Sequence, residues 1–280
     1  MIQEFLTYEA KVKNLRPNTV KAYAEDLKDF AQWLQITKRA HRFGEVHRRD
    51  VEAYLSDMHD AEKKPATIRR HLAAIRCLYN YAIKQEYTKT NPARFVEAPK
   101  RARALPSTIK AEAIEDYCDD ARHPLALRCM IALLYETGLR ISEACDIETR
   151  DVDPLNRSIR VYEGKGLTQR HVFYGERTRR LMNAYLGFRR GKIFQGADAC
   201  QREIRYQIWR ALNKYVEGDR QASPHIIRHT YAMKMLNQGM PLSSLQTILG
   251  HRRPETTETY ARATMATTKR DYERAISARA

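Results

Sequence analysis

Apolar residues in the first hundred positions recur at helical spacing. Phe5, Tyr8 and Val12 form one stripe, and Val20, Tyr23, Leu27, Phe30 and Leu34 form a second, with Pro17 and Asn18 at its start. A third helix is predicted over roughly residues 49–60 through Val51, Tyr54, Leu55 and Met58. A fourth runs from about Ala66 through Ile68, Leu72, Ile75, Tyr79 and Ala82. Four such helices make a small bundle over residues 1–90. From Asn91 to Pro106 the periodicity stops; prolines and clustered cations take over, which predicts a linker.

Helical patterns resume around residues 108–120 and 124–136, and Gly138 stands where a C-cap glycine belongs. Ser158–Tyr162 and Gln169–Phe173 are β-prone runs on either side of a glycine-rich segment, the pattern of a hairpin. The remainder reads mostly as helix, with an irregular stretch around Gly191–Ala199 and a helical tail near residues 271–279. The fold class is therefore mainly α with a small antiparallel β element, in two domains, 1–90 and 107–280, joined by the linker 91–106.

Composition narrows the function. Fifty Lys and Arg against thirty-four Asp and Glu leave a net charge of +16, which attracts a polyanion and places nucleic acid first among partners. No apolar run approaches the roughly 18–20 residues that cross a bilayer, and the N-terminus lacks the pattern of a secretory signal, so a cytoplasmic protein is expected. Five scattered cysteines without a CxxC pair agree with a reducing compartment and disfavour structural zinc. The fourth helix carries Arg69, Arg70 and Arg76, preceded by Lys63 and Lys64, a basic face that is either a DNA contact or simply solvated. The cations of the linker are open to the same two readings.

Four segments of the second domain hold polar residues that core packing does not require. Glu136-Thr-Gly-Leu-Arg140-Ile-Ser-Glu-Ala144 places an arginine just after a glycine break. Gly164-Lys165-Gly166 puts a lysine at the hairpin tip, as an ordinary turn or as a reaching arm. Ser223-Pro-His225-Ile-Ile-Arg228-His229 starts a helix and sets two histidines and an arginine on one face, suited to a phosphate. A histidine pair four apart also suits zinc, but the glutamate of a metalloprotease helix and a third ligand are missing. Finally, Gly250-His251 ends a helix, Pro254 starts another, and Tyr260 lies near its end.

Together these segments resemble the tyrosine recombinase/integrase family, in layout its simple Xer-like members. The family pattern is filled by Arg140, Lys165, His225, Arg228, His251 and Tyr260, and Thr19–Tyr23 through Trp33-Leu34 is similar to the family's SAM-like core-binding domain. Thr168 departs from it, standing where many relatives carry a second basic residue. The resemblance implies cleavage and rejoining of DNA through a 3′-phosphotyrosyl bond to Tyr260, with no metal and no nucleotide cofactor. It implies short core sites on double-stranded DNA, a tetramer that passes through a Holliday junction, and room for a related partner recombinase. Arg140 and Arg228 suit bidentate phosphate contacts, and His225 is the candidate base. Lys165 is the candidate acid at the 5′-oxygen, and His251 either binds the phosphate or orients the nucleophile. Two other functions compete: a DNA-binding regulator of the same fold without catalysis, and a type IB topoisomerase-like relaxing enzyme.

Overall fold

The structure is a computed structural model that describes residues 1–39, 43–99, 107–163, 168–187, 190–196, 200–218 and 221–250. Lys165, His251, Tyr260 and the helical tail expected near the C-terminus lie outside the described residues. The chain divides into two compact units, Met1–Arg103 and Ala104–Ala280. No described helix is long and apolar enough to cross a membrane.

The first unit contains α1 (Ile2–Lys11), α2 (Pro17–Ile36), α3 (Arg48–Asp60) and α4 (Pro65–Lys84). Proline occupies the first helical position of α2 and α4, where its missing N–H costs no hydrogen bond. In α3 the Asp50 carboxylate accepts from the backbone N–H of His47 at 2.8 Å and so closes the helix start. Phe5, Leu27, Phe30, Val51, Leu72 and Ile75 meet in the core, as their spacing predicts. Val12 does not join them: α1 ends at Lys11, and Val12, at its C-cap, is 67% exposed.

Among the basic residues on and just before α4, surroundings differ. Lys63, Lys64 and Arg69 are exposed, although Arg69 also donates to the Pro99 carbonyl at 3.3 Å. Arg70 pairs with the buried Asp26 at 2.9 Å, and the same carboxylate oxygen meets His71 Nε2 at 2.9 Å. Arg76 is turned inward, its Nε donating to Ala93 O at 2.9 Å and its Nη2 to Val96 O. Asn91 adds three bonds, accepting from Ala93 N at 2.9 Å and donating to Arg76 O at 3.1 Å and to Asn80 Oδ1 at 2.8 Å. With Ala93 and Val96 buried in the first core, residues 91–99 pack against the first unit. A guanidinium and an amide side chain complete the hydrogen bonding of a segment whose own turns satisfy only part of its backbone.

The second unit is built around α6 (Leu125–Thr137), which is buried on nearly every side and contacts α5 (Ala111–Asp119), α8 (Glu176–Leu186), α9 (Gln201–Leu212) and α10 (Pro224–Asn237). β3 (Ser158–Glu163) and β4 (Thr168–Phe173) pair antiparallel from Ser158↔Phe173 to Glu163↔Thr168, which is the expected hairpin, and β2 (Val152–Asp153) adds an edge. The periodicity predicts helix from about residue 108, but Thr108–Ile109 form β1, paired with β5 (Val216–Glu217). That strand owes its existence to a partner more than a hundred residues away, which no local pattern carries. Two more helices of the unit lie among the described residues: α7 (Ile141–Asp146), and α11 (Leu242–Leu249), which leads to Gly250.

Candidate active site

Glycine sets the positions of two of the motifs. Gly138 closes α6 in the left-handed region at φ 64°, and Gly250 closes α11 at φ 62°. Gly138 also lies against α10: a Cβ there would sit 2.4 Å from a ring carbon of Tyr231 and 2.9 Å from a methyl of Leu249. Gly138→Ala is therefore expected to cost about 2–4 kcal/mol, from left-handed strain plus overpacking. The denaturant midpoint of the full chain measures it; a loss below about 0.5 kcal/mol, the size of an ordinary surface change, would contradict this packing.

The chain leaving Gly138 presents Arg140 at the N-cap of α7. Glu143, three residues on, accepts from the Arg140 backbone N–H at 2.7 Å and from its Nη1 at 2.7 Å. The Arg140 side chain is 41% exposed, and its Nη2 donates to Gly250 O at 3.0 Å. Of the five guanidinium N–H groups, three are left for a phosphate, judged against the described residues.

Ser223 caps α10, its hydroxyl accepting from Ile226 N at 3.4 Å, and Pro224 follows at the first helical position. His225 is exposed in the first turn, where the free N–H groups of a helix favour an anion. Its ring meets that of His229 at 4.3 Å between centroids. Arg228, on the same face, is only 2% exposed. Its Nη1 donates to Gly138 O and its Nη2 to Leu249 O, both at 2.6 Å. Thus Arg140 and Arg228 come together on the end of α11, the point from which the chain continues into His251 and the Tyr260 segment.

Tyr231, also on α10, is 3% exposed, and burial pushes its phenol up to about 12, against the opposing pull of Arg228.

Two further participants have no place in the sequence pattern. Glu143 lies within the Arg140 box without a role of its own, and Arg170 lies within the second strand run. Arg170, on β4, is 7% exposed; its Nε donates to Ile248 O at 2.8 Å and its Nη2 to Glu143 Oε2 at 2.8 Å. Strand alternation is the signal that could have found it: Arg170 shares the inward face with buried Val172, and an inward charge requires a partner. Burial works to raise the Glu143 pKa, but Arg170 and Arg140 outweigh it and hold the carboxyl below its ordinary value. Its pairing therefore stabilises the site at neutral pH, and that contribution is lost as the pH falls through the lowered pKa.

Comparison with known proteins identifies the family. Residues 108–267 match the phage integrase family, and residues 2–86 match the phage integrase N-terminal SAM-like domain. A tyrosine recombinase XerC of Myxococcus xanthus is 31% identical over 98% of this chain and 97% of its own length. A XerC of Bacillus pumilus is 28% identical over 97% of this chain and 94% of its own. In fold, the chain resembles the XerH recombinase in its post-cleavage complex with palindromic difH, at TM-score 0.76 and 18% identity, covering 97% of this chain and 84% of that one. Neither a regulator without catalysis nor a relaxing enzyme gains support from these relatives. With its catalytic half and its N-terminal domain both matched, the chain belongs to the phage integrase family, as a tyrosine-type site-specific DNA recombinase.

Proposed function

We propose that this recombinase cleaves one DNA strand by attack of Tyr260 on the scissile phosphorus, giving a 3′-phosphotyrosyl bond and a free 5′-hydroxyl. The observation that carries the reading is the convergence of Arg140 and Arg228 on the end of α11, immediately ahead of His251, with Tyr260 nine residues beyond that histidine. Two guanidiniums on fixed supports meet the charge that gathers on the non-bridging oxygens in the transition state. His225 accepts the phenol proton, since a phenol with an ordinary pKa near 10 is a poor nucleophile at neutral pH. Lys165 donates a proton to the departing 5′-oxygen, and His251 binds the phosphate or orients the tyrosine. The phosphotyrosine conserves the energy of the bond, so a 5′-hydroxyl from a partner duplex reverses the step and seals the exchanged strand.

The wider setting is what the family resemblance implies, together with the +16 charge. Four protomers assemble on two copies of a short double-stranded core site and pass through a Holliday junction, alone or with a related recombinase. The protein works in the cytoplasm, on the nucleoid. Lys63, Lys64, Arg69 and Arg70 contact phosphates, while Arg76 shapes the segment that follows α4.

A duplex nicked just beyond the cleavage site tests the reading, because the short 5′-product diffuses away and traps the covalent complex. Lys165→Ala should cleave it at least roughly 10²-fold more slowly, the usual contribution of a general acid. Sulfur in place of the bridging 5′-oxygen needs no proton to leave, so the same variant should recover most of the wild-type rate on that substrate. An equal defect on both substrates would remove Lys165 from the acid's role.

A further inference from the structure

The last carbonyls of a helix have no partner within it. At the end of α11, three successive ones are taken by arginines from three different elements. Ile248 O accepts from Arg170 of β4 at 2.8 Å, Leu249 O from Arg228 of α10 at 2.6 Å, and Gly250 O from Arg140 at the start of α7 at 3.0 Å. Two of these arginines belong to the expected catalytic set; the third does not.

Arg170, like Arg140, reaches both the end of α11 and Glu143. One edge of its guanidinium holds Ile248 O, and another nitrogen holds Glu143 Oε2, the oxygen that also caps the Arg140 backbone at 2.7 Å. The other oxygen of Glu143 takes Arg140 Nη1 at 2.7 Å. Glu143 is thus gripped from both sides, and one of its oxygens holds the Arg140 guanidinium. A rotation of that carboxylate would carry Arg140 with it.

Resting on the mechanism proposed above, we infer that Arg170 is a positioning residue for strand cleavage. It locks Glu143 so that Arg140 faces the scissile phosphate, and it fixes the end of α11 from which the chain enters the His251 and Tyr260 segment. A lysine cannot replace it, because a single ammonium on a flexible stem does not span Ile248 O and Glu143 Oε2 as a planar fork does.

The test uses single-turnover cleavage of the nicked duplex by the full-length protein. Wild-type cleavage establishes the underlying mechanism on its own, so a failure there is distinct from a failure of Arg170. Arg170→Lys should slow cleavage on the order of 10²-fold, as misplacement of a catalytic group does, while DNA affinity stays within about twofold. A methylphosphonate at the scissile position removes the charge that Arg140 must neutralise. On that substrate the defect should shrink to less than about one tenth of its size.

A merely structural role would slow both substrates equally, and that result, or an unslowed Arg170→Lys, overturns the inference. Should the lysine variant fail to fold, Arg170→Gln, which keeps a planar donor but not the charged fork, is read in its place. The same ratio between the two substrates, read on that variant with Glu143 intact, then decides.

Discussion

Tyr260→Phe is expected to abolish covalent attachment to a nicked site while leaving DNA affinity within about twofold of wild type. The substitution removes one oxygen and no charge, so the electrostatic attraction that dominates binding is untouched. Without the phenol oxygen there is no acceptor for the 3′-phosphate, and the effect is a complete loss rather than a slowing. Tyr231, the tyrosine placed near Arg228, cannot substitute because it is buried and its phenol is pushed up to about 12. An SDS-resistant complex surviving in Tyr260→Phe would move the nucleophile elsewhere. Tyr272 is then the next candidate, as the only other tyrosine after His251.

The second large effect is on binding. A protein of net charge +16 that touches roughly six to ten phosphates should lose about 10³–10⁵ in affinity between 50 and 200 mM salt. Within that slope, the α4 cations divide by their surroundings. Lys63, Lys64 and Arg69 are exposed, and replacing all three by alanine should lower the slope by roughly three, about 0.9 for each phosphate no longer neutralised. Arg76→Ala should leave the slope nearly unchanged, because its guanidinium holds the carbonyls of Ala93 and Val96. Titrations by fluorescence anisotropy at several salt concentrations separate the two. An unchanged slope in the triple variant would show that α4 does not grip DNA, and a slope reduced by Arg76→Ala would show that its inward bonds give way to a phosphate.

Features set by neighbours in the chain were legible. The hairpin, the Ser223-Pro224 helix start and the glycines at 138 and 250 follow from turn chemistry and alternation, which act over a few residues. What escaped was set by distant partners. Arg69 and Arg76 lie on one helix and look alike in the sequence, yet only Arg76 is turned inward, for carbonyls 17 and 20 residues further on. Val12 continues the stripe of Phe5 and Tyr8, but the periodicity does not announce that α1 has ended one residue earlier. The six expected catalytic residues could be named one by one. That two of them share the end of α11 with Arg170 required the packing of β4, α7, α10 and α11 together.

The identity of the DNA-linked residue is the most direct measure of the mechanism. After trapping on a nicked core site and digestion with nuclease and trypsin, mass spectrometry should find a nucleotide remnant on the fragment spanning residues 253–262, joined through the Tyr260 oxygen. A remnant on any other residue, or cleavage with no protein adduct at all, would contradict it.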